Sequence, residues 1–142
     1  MTTIERKISV KSPPEKVFSY ITNPLNQTEM NPSIKEIKDI TGKDIGQRWR
    51  WMSKIKGFIL EGEAKVVEFV PNARYVTKTE GDIISTWSYS LKPQGSGTRL
   101  DLTIDYTFPI PIFGIIGEMF LSQETEQAID TEISNIKNKL ER

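Results

Sequence analysis

The chain has 142 residues, no cysteine, no histidine, and 19 basic side chains balanced by 19 acidic ones. That length suits one domain spanning residues 1–142, able to bury roughly two thirds of its unfolded surface without staples. Balanced charge offers no global field for nucleic acid. The missing His and Cys exclude disulfides, Ser–His and thiol nucleophiles, and any zinc site not built from carboxylates alone. No metal or other cofactor is therefore expected, and acid–base work falls to Asp, Glu, Lys or Tyr.

From Met1 to Lys11 charged and apolar residues alternate, which excludes a signal peptide and a transmembrane span and makes the cytoplasm the expected compartment. Ile4, Ile8 and Val10 share one face of this first strand with Arg6, which is either a cation turned into a cavity or a side chain that snorkels out. Ser12-Pro13-Pro14-Glu15 reads as a helix start, with Ser12 as N-cap, Pro13 at the first helical position and Glu15 closing a capping box. Asn23-Pro24 ends that helix, and a second short one, Leu25 to Met30, stops at Asn31-Pro32.

Strands follow. Ile34 to Thr41 is the first of them, and Gln47 to Ile55 alternates Trp49, Trp51, Ser53 and Ile55 against Arg48, Arg50, Met52 and Lys54. Phe58 to Val70 has adjacent Val66 and Val67, which predicts a bulge there and leaves its facing open. Tyr75, Thr77 and Thr79 share one face, as do Trp87, Tyr89 and Leu91 in the stretch from Ile83. Pro93 to Gly97 is a hairpin loop, and Leu100, Leu102, Ile104, Tyr106 and Phe108 line the last strand. Short turns with no helix between them imply an antiparallel meander.

Phe113 to Leu140 reads as one long helix. At about 100° per residue, Ile115, Met119, Ser122, Glu126, Ile129, Ile133, Ile136 and Leu140 fall on one side, predicting a dry core at the far end and a cavity at the near end. A rotation of some 40° from this wheel would leave Glu126 at the solvent boundary, since wheel positions drift along a long helix. The expected architecture is α+β: about seven antiparallel strands curved around the C-terminal helix, with two short helices after the first strand.

This order, with Ser12-Pro13-Pro14-Glu15-Lys16-Val17-Phe18, Asn31-Pro32-Ser33-Ile34, Val66-Val67-Glu68-Phe69-Val70-Pro71 and Gly95-Ser96-Gly97-Thr98-Arg99-Leu100, resembles the START-like (Bet v 1-like, SRPBCC) superfamily across essentially the whole chain. Its polyketide cyclase/dehydrase branch is the nearest in wording. The resemblance implies a helix-grip fold enclosing an apolar cavity for a lipid, sterol, polyketide or similar small molecule. These motifs are turns and caps, so they carry no catalytic residues over.

The candidate ligand-binding residues come from strand and helix parity: Trp49, Trp51, Ser53, Tyr75, Thr77, Trp87, Tyr89, Tyr106, Met119, Ser122 and Arg6. Buried indole N–H and phenol O–H groups need partners, and Ser53, Thr77 and Ser122 are the expected polar anchors of a mainly apolar pocket. The alternative is that these rings simply fill the core. Glu126 is the candidate acid or base, paired with Arg6 if the two meet and raised in pKa if they do not. The apolar run 108–121 is too short and too broken by Pro and Gly to span a bilayer. It is either a crossover over the cavity mouth or a gate in transient contact with a membrane or a second subunit.

Three functions follow in order of preference. The first is a binding or carrier protein for a hydrophobic, ring-bearing small molecule, as a monomer or weak homodimer with no nucleic-acid partner. The second is a cyclase or dehydratase without cofactor. The third is an interaction module docking through Ile116 and Phe120.

Overall fold

The computed structural model describes residues 2–109 and 114–142, and within the last helix the side chains from Leu121 onward. The elements are β1 (Thr2–Val10), α1 (Pro14–Ile21), a 3-10 turn (Pro24–Asn26), α2 (Gln27–Met30), β2 (Ile34–Thr41), β3 (Arg48–Ile55), β4 (Phe58–Val70), β5 (Arg74–Gly81), β6 (Ile84–Gln94), β7 (Gly97–Thr107) and α3 (Gly114–Leu140). The strands form one open seven-stranded sheet in the order β1-β7-β6-β5-β4-β3-β2, with every neighbouring pair antiparallel. Helix α3 packs against β1, β3 and both short helices. This is the helix-grip arrangement, a sheet whose apolar face is covered by one long helix.

Local chemistry explains most element ends. Residues 95 and 96 make a two-residue turn in which Gln94 pairs with Gly97, tighter than the loop expected from Pro93 to Gly97. Gly95 supplies the left-handed φ of 61° that this turn needs. The bulge expected at Val66 and Val67 is present as a register shift against β5 between Val66 and Glu68. Before it, Leu60, Ala64 and Val66 face the core by plain alternation, and beyond it the odd-numbered Phe69 packs against the core, which settles the facing of β4.

The start of α1 differs from expectation. Pro13, not Ser12, is the N-cap residue, and there is no side-chain cap. Pro14 opens the helix, and the Pro13 carbonyl accepts from the Lys16 and Val17 amides. Ser12 is instead buried, its carbonyl accepting from Thr98 Oγ1 at 2.7 Å. Two consecutive prolines both suit the helix entrance, and the second takes the first helical position because its missing N–H is one of the amides a helix start leaves unpaired.

The phase of α3 is the larger correction. Leu121, Ala128, Ile129, Glu132, Ile133 and Ile136 are buried, whereas the Glu126 side chain is 54% exposed. The buried stripe is turned by roughly 60° from the expected wheel at about 100° per residue, which moves Glu132 in and Glu126 out. The stripe forms because Ile129, Ile133 and Ile136 must reach the sheet, and Asn135 fixes the rotation by donating to the Met30 carbonyl at 2.9 Å. A surface chain closes the same side: Tyr20 donates to Glu29 at 3.0 Å, and Lys139 pairs with Glu29 at 3.0 Å.

Candidate functional site

Between the sheet and α3 lies a cavity of about 90 Å³, counted as space open to the centres of water-sized spheres. Strand β3 contributes Trp49, Trp51 and Ser53, β5 Tyr75 and Thr77, β6 Trp87 and Tyr89, and β7 Tyr106. Eight of the nine candidates drawn from the strands therefore line one space, and Arg6 of β1 is the exception. Helix α3 closes it with Thr125, Ala128, Ile129 and Glu132, and the loop after α2 with Asn31. Ile133 and Ile136 are buried in the apolar core instead. The cavity thus sits against the middle turns of α3, with the dry half of the helix beyond it.

Room for the ring of Trp51 is made by the strand beside it. Gly62 pairs with Trp51 across β3 and β4. A Cβ on Gly62 would stand 2.7 Å from Trp51 Cζ2 and 1.9 Å from the Glu80 carbonyl oxygen. A side chain of any kind at this position would displace both the ring and the neighbouring strand.

Four polar atoms in this lining have no hydrogen-bond partner among the described residues: Trp49 Nε1, Trp51 Nε1, Tyr75 Oη and Tyr106 Oη. Their residues are 2%, 7%, 2% and 3% exposed. Ser53 and Thr77 line the space but take none of these donors. Burial without a partner raises the Tyr75 phenol pKa above its ordinary value. The third tryptophan behaves differently. Trp87 Nε1 donates to Ser85 Oγ at 3.1 Å, and that hydroxyl also bonds Thr79 Oγ1.

Opposite the rings sits one ionisable group that the strand and helix patterns missed. Glu132 is 2% exposed. Its Oε2 accepts from Tyr89 Oη at 2.7 Å and its Oε1 from Asn31 Nδ2 at 3.2 Å. Asn31 is held in turn, its Oδ1 accepting from the amide of Ser33 at 2.9 Å and its hydroxyl at 2.7 Å. No salt bridge reaches Glu132 among the described residues. Desolvation raises its pKa, and the bonds from Tyr89 and Asn31 only partly offset that. Desolvation likewise raises Tyr89, helped by the neighbouring carboxylate.

Four expected site residues lie elsewhere or outside the description. Arg6 and Glu126 do meet, Nη2 to Oε1 at 2.7 Å, and Arg6 Nε also pairs with Asp130 at 2.5 Å. The cluster sits on the outer flank of α3, where Arg6 keeps 29% exposure and both carboxylates 54%. The hydrogen bonds that Arg6 donates to Asp130 and Glu126 raise its pKa further. Arg6 and Glu126 are thus a surface brace between β1 and α3, off the cavity lining. Ser122 is half-buried and also off the lining. The side chain of Met119 lies outside the described residues, as do those of Ile116 and Phe120 and the backbone of 110–113.

A signal for Glu132 existed in the chain. It stands three residues after Ile129 and four before Ile136, inside the stripe those two define. Asn31 carried no such signal, since before a proline it reads simply as a helix stop.

No helix of the described residues is long and apolar enough to cross a membrane, and no cluster of acidic residues among them could hold a metal ion. No curated protein matches the chain in sequence. Solved structures do match in fold. The protein TTHA0849 of Thermus thermophilus has a TM-score of 0.84 at 18% identity, covering 98% of this chain and 97% of that one. The Zhui aromatase/cyclase of Streptomyces sp. R1128 has a TM-score of 0.81 at 15% identity, covering 99% and 94%. A START superfamily protein of Mycobacterium smegmatis has a TM-score of 0.76 at 18% identity, covering 97% and 98%. The family model described as polyketide cyclase / dehydrase and lipid transport matches residues 1–141, and the chain belongs to that family.

Proposed function

We propose that the protein binds or carries a hydrophobic small molecule in the cavity between sheet and helix. The observation that carries this reading is a mostly apolar space lined by Trp49, Trp51, Tyr75 and Tyr106, each of which has a buried donor without a protein partner among the described residues. An orphaned buried donor costs about 1–3 kcal/mol, and four in one lining is a large burden for a core that merely packs. A bound molecule that accepts from them removes that cost, and the apolar walls supply the rest of its binding energy. The test is native mass spectrometry of protein purified from its own host, followed by titration with lipids and polyphenols under tryptophan fluorescence. Co-purified mass or saturable quenching is expected. A protein that carries nothing and responds to none of these compounds lacks this function.

A second reading, catalysis of cyclisation or dehydration, is favoured by one observation. Glu132 is a buried carboxyl beside a phenol in the cavity wall, with its pKa raised by desolvation, the direction that general acid–base work by a carboxyl requires. The exposed Glu126 offers no such environment. Incubation with a poly-β-ketone thioester, followed by mass spectrometry, tests it. Cyclisation with dehydration removes one water from the substrate mass, and a Glu132→Gln variant that retains the conversion would exclude the carboxyl from it.

A further inference from the structure

Taking the cavity as the ligand site, the distribution of charge and hydrogen-bonding groups in its wall defines what it selects. We propose that it takes a neutral, compact ring compound bearing acceptor oxygen and rejects organic anions such as fatty-acid carboxylates.

Three features of the wall lead there. The first is donor type. Trp49 Nε1 and Trp51 Nε1 can only donate, and the Tyr75 and Tyr106 hydroxyls can donate as well. A ligand satisfies them with carbonyl, ether or hydroxyl oxygen, while a pure hydrocarbon leaves them unpaired. The second is charge. No lysine or arginine lines the cavity among the described residues, and the stretch 110–120 contains neither in its sequence. Apart from tyrosines, the only ionisable side chain in the wall among the described residues is Glu132. Ionised, Glu132 repels an anion, and protonated, it offers no charge to pair with one. In both states a buried carboxylate ligand loses its hydration without a countercharge.

An ammonium ligand would find that carboxyl, but both Glu132 oxygens already accept, from Tyr89 and from Asn31. A cation would also leave the four orphaned donors as they are. The third feature is size. Room of about 90 Å³ corresponds to roughly six to nine waters at ~10–15 Å³ each, or on the order of 200 Å³ of liquid. That volume fits a two-ring compound and is short of a sterol.

The test is calorimetric titration of the intact protein at pH 7 with four naphthalene probes of nearly equal shape: 2-acetylnaphthalene, 2-ethylnaphthalene, 2-naphthoate and 2-naphthylmethylammonium. The ketone is expected to bind about tenfold or more tightly than the hydrocarbon, since only it relieves the donors, and about tenfold or more tightly than the naphthoate. Naphthoate or the ammonium binding as tightly as the ketone overturns the charge selection and leaves the cavity as a binding site. Hydrocarbon binding equal to ketone binding overturns the role of the donors. If all four fail to bind, the ligand class inferred here is overturned, while the binding function itself is decided by the lipid and polyphenol titrations.

Discussion

Tyr89 reaches across the cavity from β6 and donates its hydroxyl to Glu132 on α3 at 2.7 Å, joining sheet to helix at a point where both residues are almost fully buried. Tyr89→Phe removes the donor and leaves one carboxylate oxygen without its partner. A loss of about 1–3 kcal/mol is expected in urea unfolding, together with a further rise in the Glu132 pKa, because the lost bond was one of the two that lowered it.

The same carboxyl makes stability depend on pH in a direction opposite to ordinary acid denaturation. Its folded pKa lies above its unfolded value, so the folded state binds the proton more tightly. This contribution is complete below the unfolded pKa and is lost as pH rises through the raised folded value. Glu29 and Glu141, both lowered by bonds to lysines and other partners, act in the opposite sense. The difference between wild type and Glu132→Gln isolates the effect of the one residue. Denaturation midpoints measured from acid to neutral pH are expected to favour the Gln variant progressively as pH rises, and parallel curves would show Glu132 to be an ordinary carboxylate.

Gly62→Ala is expected to destabilise the fold by about 1–3 kcal/mol or more, and to change tryptophan emission. The added carbon meets the Glu80 carbonyl at 1.9 Å and the ring of Trp51 at 2.7 Å, and backbone cannot move aside as a flexible side chain can. Unchanged stability in chemical denaturation would show that β4 and β5 separate easily at this point.

Ile136 and Ile129 are both 0% exposed on α3, but only Ile129 borders the cavity. Ile136→Ala is expected to cost about 2–5 kcal/mol, and Ile129→Ala less, because truncation beside existing space forfeits fewer contacts. Equal losses in urea titrations would place Ile129 in fully packed surroundings.

Glu126→Gln is expected to change stability by less than about 1 kcal/mol, the range of exposed ion pairs. Arg6 retains Asp130 in the variant, so no buried charge is stranded. A loss of about 3 kcal/mol in the same assay would mean that the brace is far less solvated than its exposure indicates.

The strand pattern was legible in the chain because a period of two admits only two phases. Once Trp49, Trp51 and Ser53 share a face, neighbouring registers oblige Tyr75, Thr77, Trp87, Tyr89 and Tyr106 to join them, and all eight meet in one cavity. The helix did not permit the same inference. A rotation of roughly 60° is only about two thirds of the step between successive residues, and a stripe of isoleucines interrupted by polar residues accommodates more than one phase.

The sequence by itself determined the order of elements, the antiparallel meander and the inward aromatic face, because turn chemistry and alternation are local and act over a few residues. Only the tertiary structure decided that Glu132 faces the cavity while Glu126 pairs with Arg6 in solvent. That choice depends on how α3 docks on the sheet and on the loop after α2, where Asn31 and Asn135 make their bonds across more than a hundred residues of chain. Which buried donors find partners was likewise decided in three dimensions. Trp87 meets Ser85 and Trp51 meets none among the described residues, although strand parity places both tryptophans on the inner face.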